Sequence, residues 1–304
     1  MLYNNLSSYL KNKYGCSVGK ICIDGGFSCP NRDGTVGLGG CIFCGERGAG
    51  EHIDPTLSIG EQVRAVLASP GRKYGKYIAY FQNFTNTYAP VEVLKRRYDA
   101  ALIDPRIAVL AIGTRPDCIN DEVARLLASY KDRLDVWVEL GLQSASDQTA
   151  RLINRGYPTE VYRRAVNLLD SYGISVVTHM IIGLPEEGEK EILETVELIN
   201  SSKSFGVKIH SLYVSEGTAL AELYRQGSYT PPTMEEYVRL AALAVRRLRP
   251  DLIIHRLTGD CPAGLLVAPM WNSEKNLVLD SIRKTLEVEG CQGSLYVNSL
   301  LSDN

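Results

Sequence analysis

No apolar run in this sequence approaches the roughly 20 residues that a membrane-spanning helix needs. The opening residues, MLYNNLSSYLKNKYG, also lack the apolar centre of a signal peptide. A cytoplasmic protein with no membrane contact is the expectation. An excess of either charge is missing too: 33 Lys and Arg stand against 35 Asp and Glu, a net of −2. No bulk basic field advertises a polyanion partner, so any nucleic-acid contact has to come from a local groove. Short repeats and low-complexity tracts are absent. What is present is ordinary for a soluble globular enzyme, with 45% apolar and 22% charged residues. At 304 residues the chain suits a single α/β barrel, or a core domain with an extension. Its core can be large enough that stability does not call for disulfides or metals.

One stretch departs from this background. Cys16 to Gly50 holds five of the eight cysteines and ten glycines within 35 residues. In a reducing compartment, clustered cysteines point to metal or catalysis rather than to disulfides. Cys41 and Cys44 form a Cys-x-x-Cys pair, which lets two thiolates converge on one metal or cluster, and Cys29 precedes them by eleven intervening residues. The glycines relieve steric limits on the turns around them. A structural zinc site takes four ligands, typically from two such pairs, and here there is one pair. On pattern alone two readings stand: four-thiolate zinc on Cys22, Cys29, Cys41 and Cys44, or an iron–sulfur cluster held by three cysteines with one iron open. Cys16 and Cys22 otherwise read as buried small apolar residues.

After this stretch, strand-like and helix-like segments alternate. Strands are expected at Lys20 to Ile23, Tyr77 to Phe84, Ile107 to Thr114, Val136 to Gln143, Ser175 to Pro185 and Val207 to Val214. Between them run amphipathic helices, one with Asn120 as its N-cap and another with Thr159 as N-cap and Gly173 as its stop. The strands are continuous apolar runs, as when helices cover a sheet. About six β-α units give a parallel sheet curled into a partial barrel. We expect a core at residues 1–217, its cysteine loop at 24–50, and an α/β extension at 218–304 packed on the barrel.

In such folds ligands bind at the carboxyl ends of the strands. Those ends are unusually polar here: Gln82, Asn83 and Thr85; Thr114, Arg115 and Asp117; Glu139, Gln143 and Ser144; Gly183 to Glu186; His210 to Glu216. A late strand ends in His255, Arg256, Thr258 and Asp260. His255, Arg256 and Asp260 are the catalytic or substrate-side candidates, because a polar tip on an apolar strand is costly without a purpose. Trp271 and Lys275 could stack on and neutralise part of a nucleotide, or simply close the barrel.

Cys29-x11-Cys41-x2-Cys44, with Phe43 before the last cysteine, resembles the cluster loop of radical S-adenosylmethionine (radical SAM) enzymes. The longer string GGFSCPNRDGTVGLGGCIFC resembles the YhcC/YtqA-type branch, related to the catalytic subunit of Elongator. Further matches include YFQNFTNTYAP, GTRPDC, VELGLQSA, RLINRGY, HMIIGLPEE, HSLYVSEGTALAELY, IHRLTGDCP and LVAPMW, so the likeness covers nearly the whole chain. It implies an α/β fold, a partial (β/α)6 barrel, binding a [4Fe-4S] cluster and S-adenosylmethionine. By resemblance, Cys29, Cys41 and Cys44 ligate three irons and the fourth binds the methionine amino and carboxylate groups. Reductive cleavage of the cofactor then releases a 5′-deoxyadenosyl radical. Where relatives carry a Gly-Gly-Glu-like strand end, this chain has Asn83-Phe84-Thr85-Asn86, which leaves Asn83 as the candidate there. Gln143 and Ser144 match the position that touches the cofactor's ribose or carboxylate. Gly183 to Pro185 resemble the segment behind the adenine, and Arg155 is the candidate for the methionine carboxylate.

Relatives in this branch act at the wobble uridine of transfer RNA, which implies conversion of its 5-carboxymethylaminomethyl side chain to 5-aminomethyl. A reductant such as flavodoxin or ferredoxin is implied as well. Arg96/Arg97, Arg163/Arg164 and Arg246/Arg247/Arg249 offer phosphate contacts or are solvated helix faces. Two rival readings stand: a radical SAM enzyme acting on a small molecule or peptide, and a zinc-stapled α/β binding module.

Overall fold

The computed structural model describes residues 2–48, 53–71, 73–261 and 264–297, which leaves Ala49 and Gly50 of the cysteine-rich stretch outside. The chain opens with α1 (Leu6–Tyr14), capped by the Asn5 side chain and ended by Gly15 at φ 69°. Then come β1 (Val18–Ile23), the cysteine loop, α2 (Ile59–Ala68), β2 (Lys76–Phe81), α3 (Val91–Ala101), β3 (Ile107–Thr114) and α4 (Asp121–Ala128). They are followed by β4 (Asp135–Gln143), α5 (Asp147–Leu152), α6 (Thr159–Ser171), β5 (Ser175–Ile182), α7 (Glu189–Ser201) and β6 (Gly206–Ser211). The last part holds β7 (Val214–Ser215), α8 (Ala219–Arg225), α9 (Met234–Arg247), β8 (Ile253–Arg256), β9 (Leu266–Ala268) and α10 (Lys275–Glu289). Among the described residues no helix is long and apolar enough to cross a membrane.

Seven parallel strands pair in the order β1-β2-β3-β4-β5-β6-β8 and curl into a half-barrel. Six belong to the expected units, and the seventh comes from beyond residue 217. The outer face of the sheet packs under the helices through Ile21, Phe81, Ile112 and Leu140, and Tyr237 of α9 and Ile282 of α10 join that same core. The C-terminal part therefore completes the barrel's sheet and shares its core.

Local signals account for most boundaries, and tertiary contacts for the rest. Asn120 caps α4 as expected, its Oδ1 accepting from Val123 N–H at 2.9 Å. Thr159 is not an N-cap. Pro158 holds that place, and the Thr159 hydroxyl instead donates to the Ala145 carbonyl at 3.0 Å. The second strand stops at Phe81 rather than Phe84, because Phe84 turns to φ 56°. The sixth stops at Ser211, and Val214 pairs in a separate antiparallel ribbon with β9.

The inner face is layered. Near the amino ends of the strands, Ile78, Val109, Trp137 and Val177 pack with Leu10 of α1 in an apolar plug. The Trp137 ring lies 6.0 Å from Phe205, which in turn meets Tyr9 at 5.3 Å. Because side chains on one face recur every second residue, Trp137 is followed inward by Glu139, Gly141 and Gln143. The lumen passes from apolar floor to polar mouth along a single strand.

Leu10 is 4% exposed, and its side chain completes that plug. Leu10→Ala should lower unfolding free energy by about 2–5 kcal/mol in urea denaturation. A loss below about 0.5 kcal/mol would show that α1 does not close the lumen.

Candidate active site

Polar strand ends converge around a cavity of about 280 Å³. Its wall carries Cys29, Cys41 and Cys44, with Thr85, Arg115, Gln143, Glu139, His179 and His210 opposite and below. The cysteine loop reaches this position through specific ties. The Cys29 carbonyl accepts from Arg32 and Asp33 N–H, and Cys44 N–H donates to the Cys41 carbonyl at 2.9 Å. Arg32 donates to the Cys44 and Gly45 carbonyls at 2.8 and 2.6 Å. Asn31 donates to the Asn154 carbonyl at 2.6 Å, and Asn154 returns a bond to the Gly40 carbonyl at 2.7 Å. Gly40 sits at φ 79° against the Arg32 side chain, where a Cβ would be strained and crowded.

Burial pushes the Cys41 thiol up to about 12, and Cys44 and Cys29 push the same way while Arg115 opposes them. Deprotonated, these sulfurs would repel one another, and bound cations would offset that charge and favour the thiolates. Among the described residues no three His, Cys, Asp or Glu side chains close around a single-ion centre. Cys22 points elsewhere, into the lumen beside Ile78 and Tyr80, so the four-thiolate zinc set is not assembled. Cys16 lies against Gly75, away from the pocket.

The other candidates divide. Gln143 lines the pocket, at φ 66° where the β4–β5 register slips. Asn83 donates to Asp24 at 2.7 Å, and its Oδ1, like Thr85 Oγ1, is buried without a partner among the described residues. Thr85 lines the cavity, and its oxygen suits an N–H donor bound there, whereas Asn83 does not line it. Ser144 is fully buried behind the wall, its hydroxyl accepting from Ser146 N–H. Gly183, at φ 97°, gives its carbonyl to Tyr229, and Pro185 follows on the turn; neither lines the cavity. Arg155 lines it but is 1% exposed and donates to the Leu142, Ser144 and Tyr157 carbonyls and to Thr159. Those donors lock the loop after β4, which leaves no fork for a ligand carboxylate.

His255 and Arg256 line a second cavity, of about 520 Å³, with Lys20, Lys275 and Arg283 and no carboxylate. Asp260 pairs with Arg256 at 3.4 Å and Lys275 at 3.3 Å. Trp271 packs on Tyr237 and donates to the Pro232 carbonyl, so it closes the barrel wall. Arg249 is committed to the Asn200, Ser202 and Ser204 carbonyls and Arg246 to Glu289.

The sequence singled out Glu139 as a polar strand end but not Lys208 and His179, with which it forms a charged layer beneath the pocket. Glu139, 3% exposed, receives Lys208 Nζ and, at 2.9 Å, His179 Nε2 on the same oxygen. Burial opposes the Glu139 charge, yet Lys208 and His179 hold its carboxyl well below the usual range. Burial pushes the Lys208 ammonium down to about 7, against the pull of Glu139. The available signal was a lysine two residues before a histidine in the apolar strand VKIHSL.

Comparison with known proteins follows the same outline. The Radical SAM superfamily model matches residues 29–199, and the Radical_SAM C-terminal domain matches 205–288. The YtqA protein of Bacillus subtilis is 40% identical over 97% of this chain and 92% of its own length. A tRNA uridine(34) acetyltransferase of Dehalococcoides mccartyi is 31% identical over 60% of this chain and 39% of its own. An N-terminally truncated Elp3 from the archaeon Methanocaldococcus infernus superposes with TM-score 0.67 at 21% identity, covering 88% of this chain and 63% of that one. That superposition reports a shared fold.

Lys208→Met strips the buried Glu139 carboxylate of its cation and should destabilise the protein by about 3–5 kcal/mol in chemical denaturation. Adding Glu139→Leu should recover most of that loss. Equal destabilisation by the single and double variants would mean that the two charges are not coupled.

Proposed function

Because the chain belongs to the radical SAM superfamily of enzymes, we propose that Cys29, Cys41 and Cys44 ligate three irons of a [4Fe-4S] cluster and that S-adenosylmethionine takes the fourth. The observation that carries this is the convergence of three cysteines, and no fourth, on one wall of a cavity at the strand ends. When bound, this pair supplies a 5′-deoxyadenosyl radical that takes a hydrogen atom from substrate. The protein binds and orients. Thr85 Oγ1 would accept from the methionine amino group, and Gln143 would face the ribose. Gly183 to Pro185 back the adenine from behind the wall. Phe43, Phe84, Ile181 and Leu212 line the cavity with apolar surface and keep water out.

The substrate in this reading is the wobble uridine of transfer RNA, its 5-carboxymethylaminomethyl group becoming 5-aminomethyl. The uridine-34 activity named for the Dehalococcoides relative supports it, as does the second cavity, where Lys20, with Arg256 and Lys275 that share Asp260 and Arg283 that pairs with Asp280, offers phosphate contacts. With a net charge of −2, RNA affinity resides in that local groove and falls with salt. A cytoplasmic flavodoxin or ferredoxin is the proposed reductant.

Anaerobically purified protein should be brown, carry about four irons and four sulfides per chain, and cleave S-adenosylmethionine when reduced. Cys29→Ala, Cys41→Ala or Cys44→Ala should each abolish cleavage, and Cys16→Ala should not; the reverse pattern overturns the ligand set. Nucleoside mass spectrometry of transfer RNA from a deletion strain should show 5-carboxymethylaminomethyluridine accumulating. Unchanged wobble uridines would move the substrate to a small molecule or peptide.

A further inference from the structure

Stability does not by itself explain why a charged layer lies under the pocket. An apolar fill of the same volume is commonly as stable as a buried ion pair, and the layer directly below is filled that way by Trp137 and Val177. Glu139 and His179 both face the cavity, whereas Lys208 sits behind them. Buried ionisable groups at a cavity floor mark chemistry.

The geometry sets the state of the imidazole. Two donors meet on one oxygen of Glu139, so the carboxylate is the acceptor and His179 keeps its proton on Nε2. Burial holds the ring neutral; Lys208 on β6 and Arg256 on β8 add to this, and Glu139 on β4 opposes them. His210 on β6 and His255 on β8 are held neutral by burial as well, and Lys20 on β1 acts on Glu139. Nδ1 of His179 therefore carries a lone pair, and no hydrogen bond among the described residues occupies it. The side chain is 18% exposed. A carboxylate behind an imidazole whose far nitrogen is free is the arrangement of a general base.

We propose that His179, oriented by Glu139, takes the proton of a substrate ammonium bound in this pocket. The inference rests on the reading of the substrate as an aminomethyl-bearing uridine. The secondary ammonium breaks one N–H bond and its electron pair stays on nitrogen. The proton goes to Nδ1 of His179, leaving an imidazolium against the Glu139 carboxylate, and nothing is oxidised or reduced. The step has a chemical purpose. A carbon beside a protonated nitrogen gives up a hydrogen atom reluctantly, because the electron-poor centre forms next to a positive charge. A neutral nitrogen shares its lone pair with that centre. An alkylammonium of ordinary pKa, about 10, is almost wholly protonated at neutral pH. Desolvation in the apolar pocket lowers that value and Glu139 steadies the imidazolium, so the two bases are brought toward balance.

The test uses reconstituted full-length protein and transfer RNA from the deletion strain, with aminomethyluridine formation followed from about pH 5 to 9. Wild type should show kcat/KM rising below about pH 6.5, where His179 loses its proton, and then a plateau. His179→Gln, which retains volume and polarity, and His179→Ala should each lose about 100-fold or more at neutral pH. Their rates should climb with pH without that plateau, and added imidazole should restore part of the His179→Ala rate. Iron content and the unfolding midpoint confirm that each variant is folded. A His179→Gln enzyme with the wild-type rate and profile overturns the assignment while leaving the proposed function intact. Wild-type protein that makes no aminomethyluridine overturns the proposed function, and this inference with it.

Discussion

A parallel sheet that curls without closing leaves a lumen, and every part of this molecule answers to how that lumen is filled. Seven strands line it in chain order, so one residue in two points inward and the composition of each strand is read twice, once by the helices and once by the interior. At the amino ends the interior is apolar and stoppered by α1 through Leu10. At the carboxyl ends it must stay open to ligand. Between the two lies the Glu139–Lys208 pair, each partner about 3% exposed. Desolvating both charges is tolerable only because they meet directly and because His179 adds a further hydrogen bond.

The mouth is shaped by the reach of the cysteine loop. A long glycine-rich segment cannot hold three sulfurs in place by its own turns. It is held instead by side chains from within and beyond it: Arg32 on the Cys44 and Gly45 carbonyls, Asn31 on the Asn154 carbonyl and Asn154 on the Gly40 carbonyl. Arg155 anchors the same region from behind, with its guanidinium spent on backbone carbonyls. Arg115 bonds both Asp117 and the Arg155 carbonyl and so ties the third strand's end to it. These arginines organise the wall through backbone carbonyls and Asp117. A radical superfamily fold is consistent with this division, in which the bound group supplies reactivity and the protein supplies shape.

Much of the architecture was legible before any coordinates. The alternation of apolar runs and amphipathic helices indicated a partial parallel barrel, and the Cys-x-x-Cys pair with its upstream partner pointed to the cavity wall where all three now stand. Capping at Asn120 could be read because it depends on a bond three residues away. Thr159 misled for the complementary reason: its hydroxyl is claimed by Ala145 and Arg155, contacts that no local pattern encodes.

The same division separates the two sets of site residues. Periodicity in the sequence determined the fold class, because it acts over a few residues, while resemblance to a known family pointed to the superfamily and to the cysteine trio. Only the tertiary structure decided that Arg155 is a buried fastener, that His255 and Arg256 face a separate basic cavity, and that Glu139, His179 and Lys208 share one charge network. Those three come from three different strands, with Lys208 lying 69 positions after Glu139. Their protonation states depend on burial and on one another's charge, and neither exists until the sheet has curled.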